Sequence, residues 1–492
     1  MNIDRRTFTK TLMVGGLGAL APSTRAALAA AARGRTPPAL ARAAAALPAT
    51  AKITKIRCFY PKGYDRNGPQ AFPQSNMVVL VDTDTGITGI GQGGSPDTIR
   101  NVSRSVIGRN PFDTESIWQY EFMDGFYSPG KERLHAMGAI DIALWDIKGK
   151  ALNVPLYQFF GGRTREFIEL YATNGLPQEA VPPGGAQPMG LKERAAATMA
   201  AGYRVYRVDA GILPSTGDGR GGGGRAGAAG PAAGGPGGAA PGGARGGGPG
   251  GAPGGGARGG GPGGGGRGQA VFNARARIPQ IIKALEQIRE GVGPEGDWMI
   301  DLHQRFDFQE AVEICRLMEP LRPFIAEDPL REEQFRTQIP KLRLLTSVPL
   351  APGEEWSIRA DFSTLVENRD IDFARVSLPN TGGITEMLKI MALCDTHKVG
   401  IVPHFTGPVA TAGHMHTMTA FPGQVLMEYN QGQRPVPYLP EFLECRNGKV
   451  WPNDRPGLGV SIDEKQLDFV EEMTQGAPGP TLRRPDGTPT HW

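Results

Sequence analysis

Short apolar runs that each end in a polar or charged residue recur along the second half of the chain. Three of them lead to a carboxylate: 298–300 to Asp301, 324–326 to Glu327 and 349–351 to Glu354. Later runs lead to Ser377, His404 and Glu428. A helical pattern follows each run, and the endings recur roughly every 25 residues, as βα units do in a barrel of about 200 to 250 residues. The pattern predicts an α/β fold with a (β/α)8 TIM barrel over residues 168–450, and a doubly wound open sheet is the alternative.

Residues 52–167 have a different pattern. Two apolar strands, 77–82 and 87–91, are separated by the turn sequence 84–86. Residues 136–152 then have apolar positions at three- and four-residue spacing, as in a helix. We predict a small N-terminal α+β domain over residues 52–167 and a separate C-terminal segment over residues 451–492.

A Gly-rich segment interrupts the barrel pattern. Residues 217–268 are almost wholly Gly, Ala, Pro and Arg, a composition that cannot bury a core and predicts a disordered loop. The segment follows the strand 204–209, so we expect it on the side of the barrel where the functional groups converge. Its Arg-Gly clusters resemble RNA-binding segments, but it has no aromatic residues for stacking on bases. We therefore interpret it as a tolerated insertion.

The N-terminus has the features of an export signal. Arg5 and Arg6 precede an apolar stretch, 12–22, and a run of small residues, 26–32. This order predicts a twin-arginine signal peptide over residues 1–33, a linker over residues 34–51, and a periplasmic protein. The alternative is a disordered basic tail. No later apolar run is long enough to span a membrane.

Composition and charge exclude some classes of function. The 492 residues carry a net charge of only +4, which argues against a nucleic-acid binder because such a protein needs a concentrated basic face. The four cysteines are far apart and have no spacing typical of a zinc site. A small anionic substrate is compatible with this charge.

The strand ends are the candidate site. Asp301, Glu327 and Glu354 are expected to face one space without a neutralising partner, which is unfavourable unless a cation binds there. Oxygen ligands of this kind suit Mg²⁺. His303 lies two residues beyond Asp301, so both side chains would point the same way in an extended strand, and His404 would close the seventh strand opposite. Next to a metal-bound substrate carboxylate, one histidine could act as a base and the other as an acid.

The helical segment 136–150 carries a family signature. Its sequence AMGAIDIALWDIKGK, followed by Pro155-Leu156 and Gly161-Gly162, resembles the mandelate racemase/muconate lactonizing enzymes of the enolase superfamily. The resemblance covers about residue 52 to residue 492, apart from the Gly-rich insert. It implies an N-terminal capping domain on a modified barrel, a C-terminal segment that returns to the capping domain, and Mg²⁺ bound by Asp301, Glu327 and Glu354.

Within that group the chain most resembles the acid-sugar dehydratases, particularly the D-mannonate dehydratases, whereas its seventh-strand motif, 404–408, resembles that of galactonate-type dehydratases. The motif from Asp301 to Arg305 resembles their third-strand motif, which implies that His303 is the acid and that Arg305 contacts substrate. The resemblance further implies a substrate-binding Asn76, an Arg207 that belongs to a catalytic Arg/Tyr pair, and a base at His404. Glu428 would be a polar wall of the site.

Two positions depart from those relatives. No tyrosine occurs between Tyr206 and Tyr429, so the expected partner of Arg207 is missing. Ser377 occupies the sixth-strand position where an aspartate should orient His404. Without that carboxylate, His404 loses a partner that would fix its tautomer and raise its basicity.

These observations lead to a hypothesis with two alternatives. The chain would be a Mg²⁺-dependent lyase that removes the proton α to a sugar-acid carboxylate, forms a metal-stabilised enolate and eliminates the β-hydroxyl as water. The same enolate could instead be reprotonated, as in a racemase or epimerase. A third interpretation is a non-catalytic protein that binds metal and sugar acids. We also expect a homo-oligomer.

Overall fold

The structure, a computed structural model, describes residues 51–66, 72–123, 127–172, 189–210, 273–331, 336–429, 436–477 and 482–490. The predicted signal peptide, the linker up to residue 50 and the Gly-rich insert lie outside the described residues.

The N-terminal α+β domain is built on an antiparallel sheet. It contains β1 (Ile53–Pro61), β2 (Val78–Thr83), β3 (Thr88–Gln92) and a last strand from the end of the chain, β14 (Leu467–Met473), in the order β14-β1-β2-β3. The helices of this domain are α1 (Pro73–Asn76), α2 (Pro96–Val106), α3 (Thr114–Met123) and α4 (Lys131–Leu152). A Cβ atom at Gly91 would lie 1.8 Å from the carbonyl oxygen of Ala139, so glycine allows β3 to pack directly on α4.

Eight parallel strands form the barrel. They are β4 (Ile168–Ala172), β5 (Val205–Asp209), β6 (Asp297–Asp301), β7 (Ile325–Glu327), β8 (Leu350–Ala351), β9 (Phe373–Ala374), β10 (Gly400–Ile401) and β11 (Met427–Tyr429). Each strand or its flanking residue contributes one side chain to a single buried cluster of Tyr171, Val205, Met299, Ile325, Ala351, Phe373, Val402 and Leu426. Because this cluster draws on all eight strands, it is the packed interior of a closed barrel.

Helices connect successive strands around the barrel. The connecting helices are α6 (Leu191–Ala200), α7 (Ala274–Val292), α8 (Phe308–Met318), α9 (Ile339–Arg343), α10 (Arg359–Glu367), α11 (Ile384–His397) and α12 (Pro408–Ala420). The short helix α5 (Leu156–Phe159) precedes the first barrel strand. None of the helices that the structure describes is both long enough and apolar enough to cross a membrane.

The predicted barrel with an N-terminal cap is confirmed, with one modification. After β11, the described residues 436–477 contain no eighth α-helix. They form the hairpin of β12 (Glu444–Arg446) and β13 (Lys449–Trp451), and β13 pairs antiparallel with β4. The chain then returns to the cap, where β14 pairs antiparallel with β1.

Side chains of the cap hold the N-terminal ends of two barrel helices. The carboxylate of Asp141 in α4 accepts a hydrogen bond of 2.9 Å from the backbone N–H of Thr385 at the start of α11. Gln92 at the end of β3 accepts one of 2.9 Å from the N–H of Val409 at the start of α12. Because the first N–H groups of a helix have no partner within it, these contacts fix the cap over the carboxyl ends of the strands.

Candidate active site

Buried carboxylates line the carboxyl-terminal ends of neighbouring strands. Asp209, Asp301 and Glu327 end β5, β6 and β7, and the sheet register pairs Asp209 with Asp301 and Asp301 with Glu327. Glu354 lies three residues beyond β8, and Glu428 lies within β11. Asp301, Glu327 and Glu428 are at most 5% exposed. Asp301, Glu327 and Glu354 therefore lie at one rim, as the strand-end pattern predicted, and Asp209 is an additional carboxylate there.

Two buried arginines neutralise part of this charge, which contradicts the expectation that the carboxylates have no partner. Arg207 in β5 donates a hydrogen bond to Asp301 and lies 3.6 Å from Glu327. Arg375, directly after β9, contacts Glu327 and Glu428 at 2.7 Å each and Glu354 at 3.2 Å. Burial disfavours both charged guanidinium groups, but the carboxylates outweigh it and raise their pKa values.

The remaining charge fits a divalent cation. The four carboxylates of Asp301, Glu327, Glu354 and Glu428 against the two guanidinium groups leave a charge of −2 if all are ionised. Burial raises the pKa of Glu327 well above its usual value and also raises that of Asp301. Oε1 of Glu327 is in ion-pair contact with Arg375 but accepts no hydrogen bond, and Oε2 has no hydrogen-bond partner among the described residues. A hard cation such as Mg²⁺ would satisfy these oxygens and stabilise their ionised form.

The three carboxylates of the predicted triad do not form a cluster in which all ligand atoms lie within 4.8 Å of one another. Arg375 lies between Glu327 and Glu354 and contacts both. Among the described residues, the set of three potential ligands whose atoms lie within 4.8 Å of one another consists instead of Asp209, Asp301 and His303. The sequence analysis therefore included Arg207 but not Arg375, the cation that contacts both Glu327 and Glu354.

The sequence pattern predicted that His303 continues strand β6, but the strand ends before it. Its φ angle is +50° and that of Gln304 is +57°, so the chain leaves the extended conformation directly after the strand. The backbone N–H of His303 donates to Asp301 at 2.7 Å, and ring atom Nδ1 lies 3.3 Å from Asp209 and 3.5 Å from Asp301. The hydrogen bond to Asp209 raises the pKa of His303 to about 9, despite opposing desolvation. The ring is therefore protonated at neutral pH.

His404 has a contrasting environment. It lies three residues beyond β10, its backbone N–H donates to Val376 at 2.9 Å, and its Nε2 lies 3.5 Å from Glu354. Burial lowers the pKa of His404, although Glu354 opposes this, and the neutral ring is favoured. Its Nδ1 and the buried hydroxyl of Ser377 have no hydrogen-bond partner among the described residues. The absence of a carboxylate on Nδ1 agrees with serine at position 377.

The other predicted site residues have different surroundings. Asn76 is buried in α1 of the cap, and its amide donates to the carbonyl of Phe72 at 3.0 Å. Arg305 donates to Asp209 at 3.0 Å. Glu428 accepts from the backbone N–H of Phe405 at 2.8 Å, and although burial opposes it, Arg375 holds the pKa of Glu428 below its usual value. Glu428 thus forms part of the charged wall, and none of the described hydrogen bonds joins Asn76 to the barrel residues.

Sequence reasoning missed three residues of this site. Asp209 ends its strand in the same way as Asp301, and that repeated pattern could have identified it. Arg375 follows an apolar run directly, and a charge at such a position was the available signal. Tyr171 of β4 accepts a hydrogen bond of 2.7 Å from Arg375, and no sequence pattern indicates this contact.

Comparison with known proteins agrees with this architecture. Residues 71–161 match the N-terminal domain of mandelate racemase / muconate lactonizing enzyme, and residues 261–466 match the enolase C-terminal domain-like family. D-galactonate dehydratases of Pectobacterium atrosepticum and Xanthomonas oryzae pv. oryzae are each 28% identical to this chain. The first alignment covers 90% of the chain and 100% of the relative, and the second covers 85% and 96%.

A solved structure has the same fold. A member of the enolase superfamily from Salmonella Typhimurium superimposes with a TM-score of 0.66 at 23% identity, over 86% of this chain and 100% of that one. At this identity the similarity supports the fold alone. The two family matches, together with the capped barrel, identify this chain as a member of the enolase superfamily with an N-terminal domain of the mandelate racemase / muconate lactonizing enzyme type.

Proposed function

We propose that this chain is a Mg²⁺-dependent acid-sugar dehydratase, a hydro-lyase that removes water from a sugar acid. The observation that carries the proposal is the row of buried carboxylates, which outnumber the guanidinium groups that contact them, together with His303 and His404 beside that row. The D-galactonate dehydratases among its relatives support the same reaction class.

Asp301, Glu327 and Glu354 are the residues that would hold the cation. When bound, a divalent cation supplies a Lewis acid that withdraws electron density from the substrate carboxylate and acidifies the α-proton. Arg207 and Arg375 hold the same carboxylates in position through their ion pairs. Their contacts keep the rim assembled before substrate arrives, which limits the reorganisation required during the reaction.

The two histidines divide the proton transfers. His404 accepts the α-proton, and His303 donates a proton to the departing β-hydroxyl. Nε2 of His404 lies 3.5 Å from Glu354, and the ring of His303 lies 3.5 Å from Asp301 and is 51% exposed. The two rings therefore border the same space from different strands, as removal of a proton and of a hydroxyl from adjacent carbons requires.

A substrate screen tests this proposal. Purified protein with Mg²⁺ is incubated with galactonate, mannonate, gluconate and other sugar acids in D2O, and 2-keto acid formation and deuterium incorporation at the α-carbon are measured. We expect a keto acid to form with Mg²⁺ but not with excess EDTA. Deuterium exchange without loss of water would indicate a racemase or epimerase instead. Binding without exchange or product would indicate the non-catalytic alternative.

Replacement of the proposed acid tests the roles of the histidines. His303→Asn should lower keto-acid turnover by roughly 10²- to 10⁴-fold, because the leaving hydroxyl then lacks its proton donor. His397→Asn is the matched control, since His397 ends α11 at the opposite end of the barrel. Unchanged turnover in His303→Asn would exclude it as the acid.

We also propose that the protein is exported by the twin-arginine pathway and acts in the periplasm. The paired Arg5 and Arg6 before an apolar stretch support this localisation. The pathway carries folded proteins, so the barrel would acquire its metal before export.

A further inference from the structure

We propose that Asp209 is a positioning residue that orients His303 and Arg305 for the elimination step. This inference rests on the proposed dehydratase function, and it assigns to the second barrel strand a carboxylate that orients a catalytic histidine. Asp209 acts through its neighbours and does not itself exchange a proton with the substrate.

One carboxylate connects two side chains of the third-strand motif. Asp209 Oδ2 lies 3.3 Å from Nδ1 of His303, and Oδ1 accepts a hydrogen bond of 3.0 Å from Arg305. The side chain of Asp209 is only 11% exposed, whereas that of His303 is 51% exposed. A half-exposed ring is therefore held by an enclosed carboxylate, which limits the directions in which the ring can point.

The backbone gives this contact a particular importance. Because His303 and Gln304 have positive φ angles, the alternation of β6 does not determine the direction of the His303 side chain. The N–H of His303 is held by Asp301, and the N–H of Gln304 donates to the carbonyl of Asp328 at 3.0 Å. These two bonds fix the turn, and Asp209 fixes the ring on it.

The contact determines which nitrogen faces the substrate. A carboxylate oxygen only accepts, so Nδ1 carries a hydrogen and donates it to Asp209. Nε2 then faces the open mouth. During elimination, the electron pair of the enolate forms the double bond between the α- and β-carbons. The β-carbon–oxygen bond breaks with its electron pair on oxygen, and the Nε2 proton of His303 converts the leaving hydroxyl to water.

Asp209 also explains how the site can work with Ser377. The hydroxyl of Ser377 gives Nδ1 of His404 no hydrogen-bond partner among the described residues. The described carboxylate–histidine contact through Nδ1 instead involves His303, on the opposite side of the mouth. The orienting carboxylate therefore acts on the acid rather than on the base.

Asp209→Asn tests the proposal with little change in shape. Arg305 requires an acceptor, so the amide oxygen turns towards it and the amide NH2 faces Nδ1 of His303. Nδ1 must then accept, and the ring cannot release its Nε2 proton without becoming an anion. We expect dehydration to fall by about 10- to 100-fold while deuterium exchange at the α-carbon is retained, and Asp209→Glu to recover part of the loss.

The control variant is Asp297→Asn. Asp297 also pairs with an arginine, Arg204, but at the opposite end of β6, so the ratio of dehydration to exchange should not change. The proposal is wrong if Asp209→Asn lowers both rates together, as a purely structural defect would, or leaves both unchanged.

A second measurement does not depend on turnover. Long-range ¹H–¹⁵N correlation spectra of the His303 ring should show a hydrogen on Nδ1 in the wild type and its loss from Nδ1 in Asp209→Asn. The same tautomer in both proteins would contradict the positioning role. If the wild type dehydrates no sugar acid but the tautomer changes as expected, the proposed function is wrong while the orientation by Asp209 stands.

Discussion

The guanidinium of Arg375 contacts more residues of the site than that of Arg207 does. It is 1% exposed and contacts three carboxylates, Glu327, Glu354 and Glu428, as well as the hydroxyl of Tyr171. Each of these groups belongs to a different strand or strand end, so Arg375 joins opposite sides of the barrel through its interior. An isolated charge in such a place would be strongly unfavourable, and the carboxylates offset that cost.

Arg375→Met should therefore destabilise the protein by about 3 to 5 kcal/mol in the absence of metal, because it leaves buried carboxylates without a counter-charge. Mg²⁺ should restore part of the loss, since it would neutralise the same oxygens. Urea unfolding with and without Mg²⁺ measures both effects. Lys55→Met removes an exposed ion pair with Glu472 and should cost no more than about 1 kcal/mol. Equal unfolding midpoints for Arg375→Met and the wild type would contradict this role.

At this scale the sequence predicted positions better than partners. Asp301 and Glu327 were identifiable because a strand followed by a barrel helix must end at the rim. Arg207 was expected only from the family resemblance, and Arg375 was not expected, since it reaches Glu428 across 53 residues and Tyr171 across 204. Such pairs depend on how the barrel closes, and no local pattern encodes them.

At the scale of elements, the position of helix α4 was also predicted from the sequence, but the partners of its side chains were not. Its periodicity predicted a helix, and the structure has one over Lys131–Leu152. Its two buried aspartates are structural rather than chemical. Asp141 holds the start of α11, and Asp146 accepts from the backbone N–H groups of Ile90 and Leu458 at 3.0 and 2.8 Å. The family signature thus describes the joint between cap and barrel, which explains why it identified the superfamily but not the reaction.

Helix α12 contributes an acid-sensitive contact. Nδ1 of His416 accepts a hydrogen bond of 3.4 Å from the backbone N–H of Tyr157 at the start of α5. Burial disfavours the charged ring and lowers the pKa of His416 to about 4, although a backbone hydrogen bond with Leu458 opposes this. In the unfolded chain a histidine titrates near 6.5.

The unfolded chain therefore takes up this proton first as the pH falls. The contribution of neutral His416 to stability is complete above about pH 6.5 and is lost progressively as the pH falls towards about 4. His416→Asn keeps an acceptor near the Tyr157 N–H but does not titrate. The free energy of unfolding should therefore fall by about 2 to 3 kcal/mol less between pH 7 and pH 4 in this variant than in the wild type. Denaturant unfolding between pH 4 and 7 measures it, with His397→Asn as the control. An unchanged slope in His416→Asn would contradict the assignment.

At the scale of the whole molecule, the repeat of strand endings predicted the barrel because each ending marks one βα unit. It did not predict that the residues described after β11 contain no eighth helix. They form the hairpin of β12 and β13 instead, which is held by the pairing of β13 with β4, far away in the sequence. Local periodicity cannot show such a return.

The proposed export by the twin-arginine pathway also concerns the whole chain. Replacement of Arg5 and Arg6 by lysines should retain the protein in the cytoplasm, because twin-arginine transport depends on the arginine pair. Fractionation of a bacterium that has this pathway measures how the protein is distributed between cytoplasm and periplasm. A chain without residues 1–33 serves as the size standard for the processed protein. Equal amounts of the wild type and the double variant in the periplasm would favour the basic-tail interpretation.

The position of β14 at the edge of the cap sheet has a consequence for biosynthesis. β1 leaves the ribosome well before its outer partner, Leu467–Met473, because that strand lies far downstream in the sequence. Until then one edge of β1 can pair with another strand, including one from a neighbouring nascent chain. A premature stop codon before residue 467 would make that exposure permanent, so truncated products should aggregate through the cap even when the barrel sequence is complete.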